Sequence, residues 1–432
     1  MAQLTADRLL DGLSDAERGR AARVEAVLPA LRDAAAGADA EGRFPVEHVA
    51  RMRDAGLLGL VVPEEYGGLG GTLRDLAAAT FAMGTACGST ALAYFFHNTS
   101  ASRGLLPLEA IRAGLFEPDE VPVVRAFAEK VLTRMAGGVW LANFASESVK
   151  SAGANISIST TATKVDGGWL LNGEKSFGCA TGVADYYLTT ARLDGTDTAA
   201  GLATFFVPRD AAGVGERPTW DALGMRATAN QGITLKDVFI ADDEALTLPG
   251  AFVRMLQVSR GSFVGNQLAI SAVYLGAAQS AYDAALAATT GKAFADTGRP
   301  VASSPMHQVL FGDMTERLET AYLWIRRQLE LETSEPPLRG KDDVFRQWRM
   351  AKGSITEACF DVAVGALKCT GTSGTANSGV IARAVRDTAM SLVMTFPAER
   401  GRLEAANLVT TGAENALFAN VASTTTTTGK DR

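Results

Sequence analysis

Apolar residues recur three and four positions apart through the first part of the chain, to about residue 138, as in EHVARMRDAGLLGL (47–60). That period predicts amphipathic helices; Pro45 starts this one, and Gly56 ends it. From about Trp140 to Ala245 the period changes to two, and Thr, Val, Tyr and Phe dominate. TTATKVDGGWLLNGEKSF (160–177) reads as two strands around an Asp166-Gly167-Gly168 turn. ADYYLTTARL, LATFFVP and QGITLKDVFI continue as strands, and after Pro249 the helical texture returns to about residue 421, with turns near Thr297 to Pro305 and Gly371 to Ser378. The order is helical, all-β, helical, with no internal repeat. The fold class expected is α+β, with a barrel or sandwich whose edges helices cover. The expected divisions are 1–138, 139–245, 246–421 and a disordered tail, 422–432, whose Thr run has too little apolar area to offset its ordering entropy.

One stretch, Gly261 to Tyr282, carries no charge over about the length of a membrane span. Its Asn266, Gln267, serines and glycines point instead to a buried helix of a bundle. The N-terminal stretch carries acidic residues from Asp7 onward and lacks the apolar run of a signal peptide, so a cytoplasmic location is expected. A net charge of -7 without a long basic run argues against nucleic-acid or membrane partners. The four cysteines, Cys87, Cys179, Cys359 and Cys369, show no CxxC spacing, and only three histidines accompany them, so neither a metal site nor a disulfide framework is expected. No Gly-rich fingerprint joins a strand to a helix, which removes a Rossmann site. What is left is chemistry on a small molecule.

Five strings in collinear order carry a resemblance to the acyl-CoA dehydrogenase superfamily over nearly the whole chain: AGLLGLVVPEEYGGLG (55–70), LNGEKSFGCATGVADYYLTTAR (171–192), LGMRATANQGITLKDVFI (223–240), YLGAAQSAYDAAL and FADTGRPVASSPMHQVLFGDM. The resemblance implies an N-terminal helical domain, a middle β domain and a C-terminal four-helix bundle. It also implies bound FAD, with FMN or reduced flavin as variants, in a homo-oligomer, a tetramer by preference. In the family pattern Ser146 takes the place of a Thr that hydrogen-bonds the flavin, Phe177 that of a Trp against the ring, and Cys179 that of a Thr near N5. Gly371, Thr372, Ser373 and Gly374 lie where the family has a Gly-rich pyrophosphate turn, and Lys292, Phe294 and Gln308 match positions that reach FAD from a neighbouring subunit. Phe96, His97 and Asn266 are the candidate substrate contacts, although His97 equally fits a hydrogen-bonded core histidine.

A dehydrogenase of this type needs a carboxylate to take the proton α to a thioester while the flavin takes the β-hydride. Counting nine residues on from Arg386 reaches Thr395, whose hydroxyl cannot serve. The alternative family position, measured back from Gly276, falls at about Asn266, and no Asp or Glu occurs from Pro249 to Tyr282. Glu399, one helical turn beyond Thr395, is the remaining candidate base, against its plainer reading as a helix-start carboxylate. Three readings follow. The first is an acyl-thioester dehydrogenase (CoA or carrier-protein substrate) with Glu399 as base, delivering electrons to an acceptor flavoprotein. The second is a two-component monooxygenase fed reduced flavin by a reductase, in which a small group near N5, Cys179, leaves room for oxygen. The third is a non-catalytic subunit of a heteromeric dehydrogenase. The resemblance ranks dehydrogenation first.

Overall fold

The computed structural model describes residues 3–147, 158–259, 268–394 and 397–411. Thr395, Asn266, the start of the charge-free stretch at Gly261 and the 422–432 tail lie outside them.

Six helices come first: α1 Asp15–Glu41, α2 Glu47–Asp54, α3 Leu73–Ala86, α4 Gly88–Thr99, α5 Ser102–Arg112 and α6 Val121–Ala136. Local chemistry sets their ends. Ser14 and Glu17 form a capping box at the start of α1, and Gly42 ends it in the left-handed region at φ 62°. Thr72 and Asp75 repeat the capping device at α3. Pro45 and Gly56 flank α2 as the sequence predicts, Gly56 at φ 71°.

The strands are β1 Leu141–Phe144, β2 Thr161–Val165, β3 Gly168–Lys175, β4 Tyr186–Leu193, β5 Leu202–Pro208, β6 Val214–Glu216, β7 Ile233–Ala241 and β8 Ala245–Leu246. They form one curled sheet in the order β6-β7-β3-β2-β4-β5-β8, with β1 added parallel to β4. The β2-β3 turn is tighter than its three-residue prediction: Gly168 already pairs with Val165 and Ala241, which leaves Gly167, at φ 70°, to make the corner. A buried ion pair ties the ends of β1 and β3 together, with Lys175 Nζ 2.6 Å from Glu147. Burial opposes the charge on Glu147, but the ammonium and donors from Ser159 and Thr160 outweigh it and hold the carboxyl down at about 2. Burial dominates at the other partner and lowers Lys175.

The chain returns to helices at α7 Ala251–Gln257, α8 Leu268–Thr290, α9 Pro305–Thr333, α10 Lys341–Thr370, α11 Val380–Ser391 and α12 Ala398–Thr411. The α8 helix, the described part of the charge-free stretch, is buried against α3, α10 and α11. No described helix is long and apolar enough to cross a membrane. Nor do the described residues hold a cluster of His, Cys, Asp and Glu placed for a metal ion.

The α3–α8 crossing locks the first helical layer onto the last, because two glycines let backbone touch backbone. A Cβ on Gly84 would lie 2.4 Å from the Val273 carbonyl oxygen, and one on Gly276 would lie 2.2 Å from that of Phe81. Thr80 adds a bond across the crossing, its hydroxyl donating to Ala269 O at 2.7 Å. Gly276→Ala must push the helices apart, and an overpacking cost of about 1–3 kcal/mol is expected in urea unfolding. Gly19→Ala, inside α1 with open space around it, is the control and should stabilise by about 0.5–1 kcal/mol.

Candidate active site

Two loops of the β layer face each other at the junction with the helices. The first follows β3 and carries Ser176, Phe177, Gly178, Cys179, Ala180 and Thr181. The second precedes β7 and carries Met225 to Gln231. They hold each other through backbone: Ala180 N–H donates to Thr228 O and Thr181 N–H to Ala229 O, both at 2.9 Å. Four non-glycine residues in these loops sit in the left-handed region, Phe177 at φ 58°, Ala180 at 62°, Met225 at 51° and Ala229 at 47°. Each such residue costs of order 1 kcal/mol and persists only where its surroundings enforce it. Gly178 is required because a Cβ there would sit 2.0 Å from the Phe144 ring.

The outcome is a paired presentation. Phe177 is thrown outward, 58% exposed, with an edge contact to Trp220 at 6.4 Å between ring centroids. Cys179 is turned inward and donates weakly to Asn230 Oδ1 at 3.6 Å. Burial pushes its thiol up, so it stays protonated, a small neutral group. The Ser176 N–H donates to Ser146 O at 2.9 Å, which brings exposed Ser146 beside the same loop. Nearby on β1, Asn143 Oδ1 is buried with no partner among the described residues, an acceptor that the sequence pattern does not single out.

The helical wall is made by α8 and α11. Burial pushes the Tyr274 hydroxyl well up, and the charge of Asp387 pushes the same way. Tyr274 Oη donates to Met394 Sδ at 3.2 Å, and Lys352 Nζ donates to Ser391 O and Met394 O at 2.9 and 2.7 Å. The end of α11 is thus fixed up to the residue before Thr395. Asp387 Oδ1 accepts the Met225 N–H at 2.6 Å, and a Cβ on Gly88 of α4 would lie 3.1 Å from Oδ2. Arg386, its neighbour, pairs with Asp39 of α1.

The other predicted residues fall elsewhere. Lys292 and Phe294 lie in the loop after α8, where Val301 N–H donates to Lys292 O and Phe294 N–H to Arg299 O, both at 2.9 Å. Gln308 is exposed in the first turn of α9, and Gly371, Thr372, Ser373 and Gly374 form a short 3-10 turn after α10. His307 reaches Cys369 O at 3.2 Å, so these residues share one end of the bundle. Among the described residues, no hydrogen bond or ring contact joins them to Phe177 or Cys179. Glu399, in the first turn of α12, is exposed and lines a polar surface groove with Arg317, Glu357 and Asp361. Phe96 is half-buried against Phe95. His97 is fully buried: Leu141 N–H donates to Nδ1 at 3.0 Å, so Nε2 carries the proton given to Leu58 O at 2.8 Å. Burial pushes it down to about 4, a neutral strut between α4 and β1.

Asp387 has a measurable signature. Burial first, and then the Asp39 charge, push its carboxyl up to about 6 against the Met225 hydrogen bond. Between roughly pH 4 and 6 the folded chain therefore keeps a proton that the unfolded chain has released, and stability falls as pH rises through that window. Asp387→Asn keeps the Met225 bond and removes the titration. Relative to wild type it should gain about 2 kcal/mol between pH 4 and pH 7, read by urea unfolding at both values.

Sequence families place this geometry. The family models for the acyl-CoA dehydrogenase N-terminal, middle and C-terminal domains match residues 20–107, 144–238 and 268–393. The chain is 28% identical over 365 residues to the amino sugar nitrososynthase DnmZ of Streptomyces peucetius, spanning 84% of this chain and 86% of that one. It is 26% identical over 361 residues to the cyclohex-1-ene-1-carbonyl-CoA dehydrogenase of Syntrophus aciditrophicus (strain SB), spanning 83% and 80%. Among solved structures, KijD3 in complex with FMN and dTDP-3-amino-2,3,6-trideoxy-4-keto-3-methyl-D-glucose superposes with a TM-score of 0.76 at 27% identity, over 98% of this chain and 100% of that one. Three domain models in the right order over this three-layer fold make the chain a member of the acyl-CoA dehydrogenase superfamily.

Proposed function

We propose that this chain is the oxygenase component of a two-component flavin-dependent monooxygenase, supplied with reduced FMN or FAD by a separate reductase. One observation carries the reading: Asp387, the carboxylate buried where α11 meets the loop before β7, has its Oδ1 already taken by the Met225 N–H. Its other oxygen is packed against Gly88. Glu399, the base that a dehydrogenase would need, is exposed in a polar groove of α9 and α10. This reverses the ranking that the sequence alone supports.

The residues present fit a flavin. Phe177 offers an exposed aromatic face, Asn143 Oδ1 an unused acceptor, and the paired loops a rigid cradle. Reduced flavin, when bound, supplies the two electrons with which dioxygen is split, one oxygen atom going to the substrate and the other to water. The chain's own groups would shape the pocket: Cys179, small and protonated, leaves space at the ring, while Tyr274 and Phe144 keep water out. The likeness to a nitrososynthase and to KijD3 with its bound FMN supports this reading.

A second reading, dehydrogenation of an acyl thioester with electrons passed to an acceptor flavoprotein, draws on the likeness to the Syntrophus enzyme. We also infer a homo-oligomer: Met306 and Val309 flank Gln308 on α9 and are 78% and 72% exposed, apolar surface that a second copy would cover.

The two reactions separate cleanly in the laboratory. With flavin, a reductase and oxygen, the protein should yield an oxygenated product, while anaerobic acyl thioesters should leave the absorbance of oxidised flavin unchanged. Glu399→Gln should keep oxygenation within about tenfold of wild type, a change of no more than ~1.4 kcal/mol. Bleaching of flavin by a thioester, together with a loss of at least about 10²-fold in Glu399→Gln, would establish dehydrogenation with Glu399 as base instead.

A further inference from the structure

Arg103 stands in the first turn of α5 and is only 6% exposed. Its guanidinium lies over the Phe252 ring, 4.5 Å from the centroid, and Nη2 donates to Thr190 Oγ1 at 3.3 Å. Its Nε is buried and has no partner among the described residues. Other buried or half-buried arginines are neutralised: Arg20 by Asp75, Arg134 by Glu244, and Arg254, close in sequence to Phe252, by Glu120. No carboxylate pairs with Arg103 among the described residues, and the internal stretches outside them, 148–157, 260–267 and 395–396, contain no Asp or Glu. Burial alone pushes the group down, to about 10, which leaves it charged at neutral pH.

The helix adds to the imbalance. The first turn of α5 has no acidic residue, although a helix N-terminus favours negative charge. The Arg103 and Gly104 N–H groups are bonded back to Ser100 O and Ala101 O, at 3.0 and 2.9 Å, so the helix end contributes field rather than free donors. An uncompensated buried cation is strongly unfavourable, and a fork of N–H donors held flat by an aromatic ring matches the geometry of a planar or tetrahedral oxyanion.

We propose that Arg103 docks an oxyanion, a carboxylate or a phosphoryl group, carried by the small molecule on which this protein acts. The inference rests on the enzyme reading above for the identity of the bearer. Its test does not, since anion binding is measured without reductase, oxygen or turnover.

The experiment is thermal unfolding of the full-length protein, as purified, in rising succinate or inorganic phosphate at ionic strength fixed with chloride. Wild type should show a saturable rise in Tm with one of the two, and which one names the group. Arg103→Met should lose that rise while its Tm without anion is no lower than that of wild type, because an unpaired buried charge has been removed. Arg103→Lys, which keeps the charge but not the fork, should respond at several-fold higher anion concentration. Where Arg103→Met gives no folded protein, Thr190→Val, which removes only the acceptor that orients Nη2, should weaken the anion response several-fold. The proposal is overturned if wild type shows no saturable rise with either anion, or if the variants respond as wild type does. It is equally overturned if Arg103→Met has a lowered Tm that Arg103→Lys restores with no anion response in either, which marks a purely structural cation.

Discussion

The hydrogen bond from Met225 N–H to Asp387 Oδ1 is the constraint on which the rest of the site depends. It joins α11 to a loop of the sheet 162 residues earlier in the chain, and Gly88 of α4 closes over the other oxygen. Three regions far apart in sequence therefore meet on one buried carboxylate. The contact demands small residues around it: a Cβ on Gly224 would lie 2.1 Å from Arg386 O, and one on Gly88 would meet the Met225 methyl at 3.2 Å. Met225 is forced to a positive φ so that its N–H can point at the carboxylate. That strain passes along the loop to Ala229, whose carbonyl then holds Thr181 and, through it, the turn that presents Phe177 and Cys179.

The larger frame makes such strain tolerable. With α3 and α8 in backbone contact at Gly84 and Gly276, the helical layers cannot slide, so α11 arrives at a fixed height against the sheet. On the sheet side the Lys175–Glu147 pair locks β1 to β3 immediately before the strained loop. Removing one partner of such a pair typically costs several kcal/mol because the other is left charged in a dry place, so this end of the sheet is as rigid as the helical wall. A site built from left-handed residues needs both supports.

The layer order was legible because helices and strands impose different periods, 3.6 and 2, and the chain switches between them near Trp140 and Pro249. Gly56 and Gly167 marked corners because a positive φ is cheap only for glycine. The collinear strings gave the family, which no period could have done. The pairing of Phe177 outward with Cys179 inward was hidden, since it depends on the clash that Gly178 avoids with Phe144. Asp387 went unmarked beside Arg386, the residue from which the count to Thr395 starts. Its partner is a backbone N–H far away in sequence, and nothing local announces such a bond. Ambiguity over His97 ended once both ring nitrogens were found bonded to backbone.

Three buried charged sites in this chain are compensated differently, and that difference separates scaffold from function. Lys175 and Glu147 satisfy each other, with Ser159 and Thr160 completing the carboxylate, so nothing is left over for a ligand. Asp387 makes no ion pair among the described residues, although the charges of Arg383 and Arg386 reach it, and it is relieved partly by a backbone N–H and partly by holding its proton to a higher pH. A guanidinium has no such escape near neutral pH, where it keeps its proton even when burial pushes it down. Arg103 must therefore carry its charge into a setting of Phe252 and Thr190, neither of which can neutralise it. A residue whose imbalance the described chain relieves neither by pairing nor by titration near neutral pH is the one that calls for a counter-charge from a ligand.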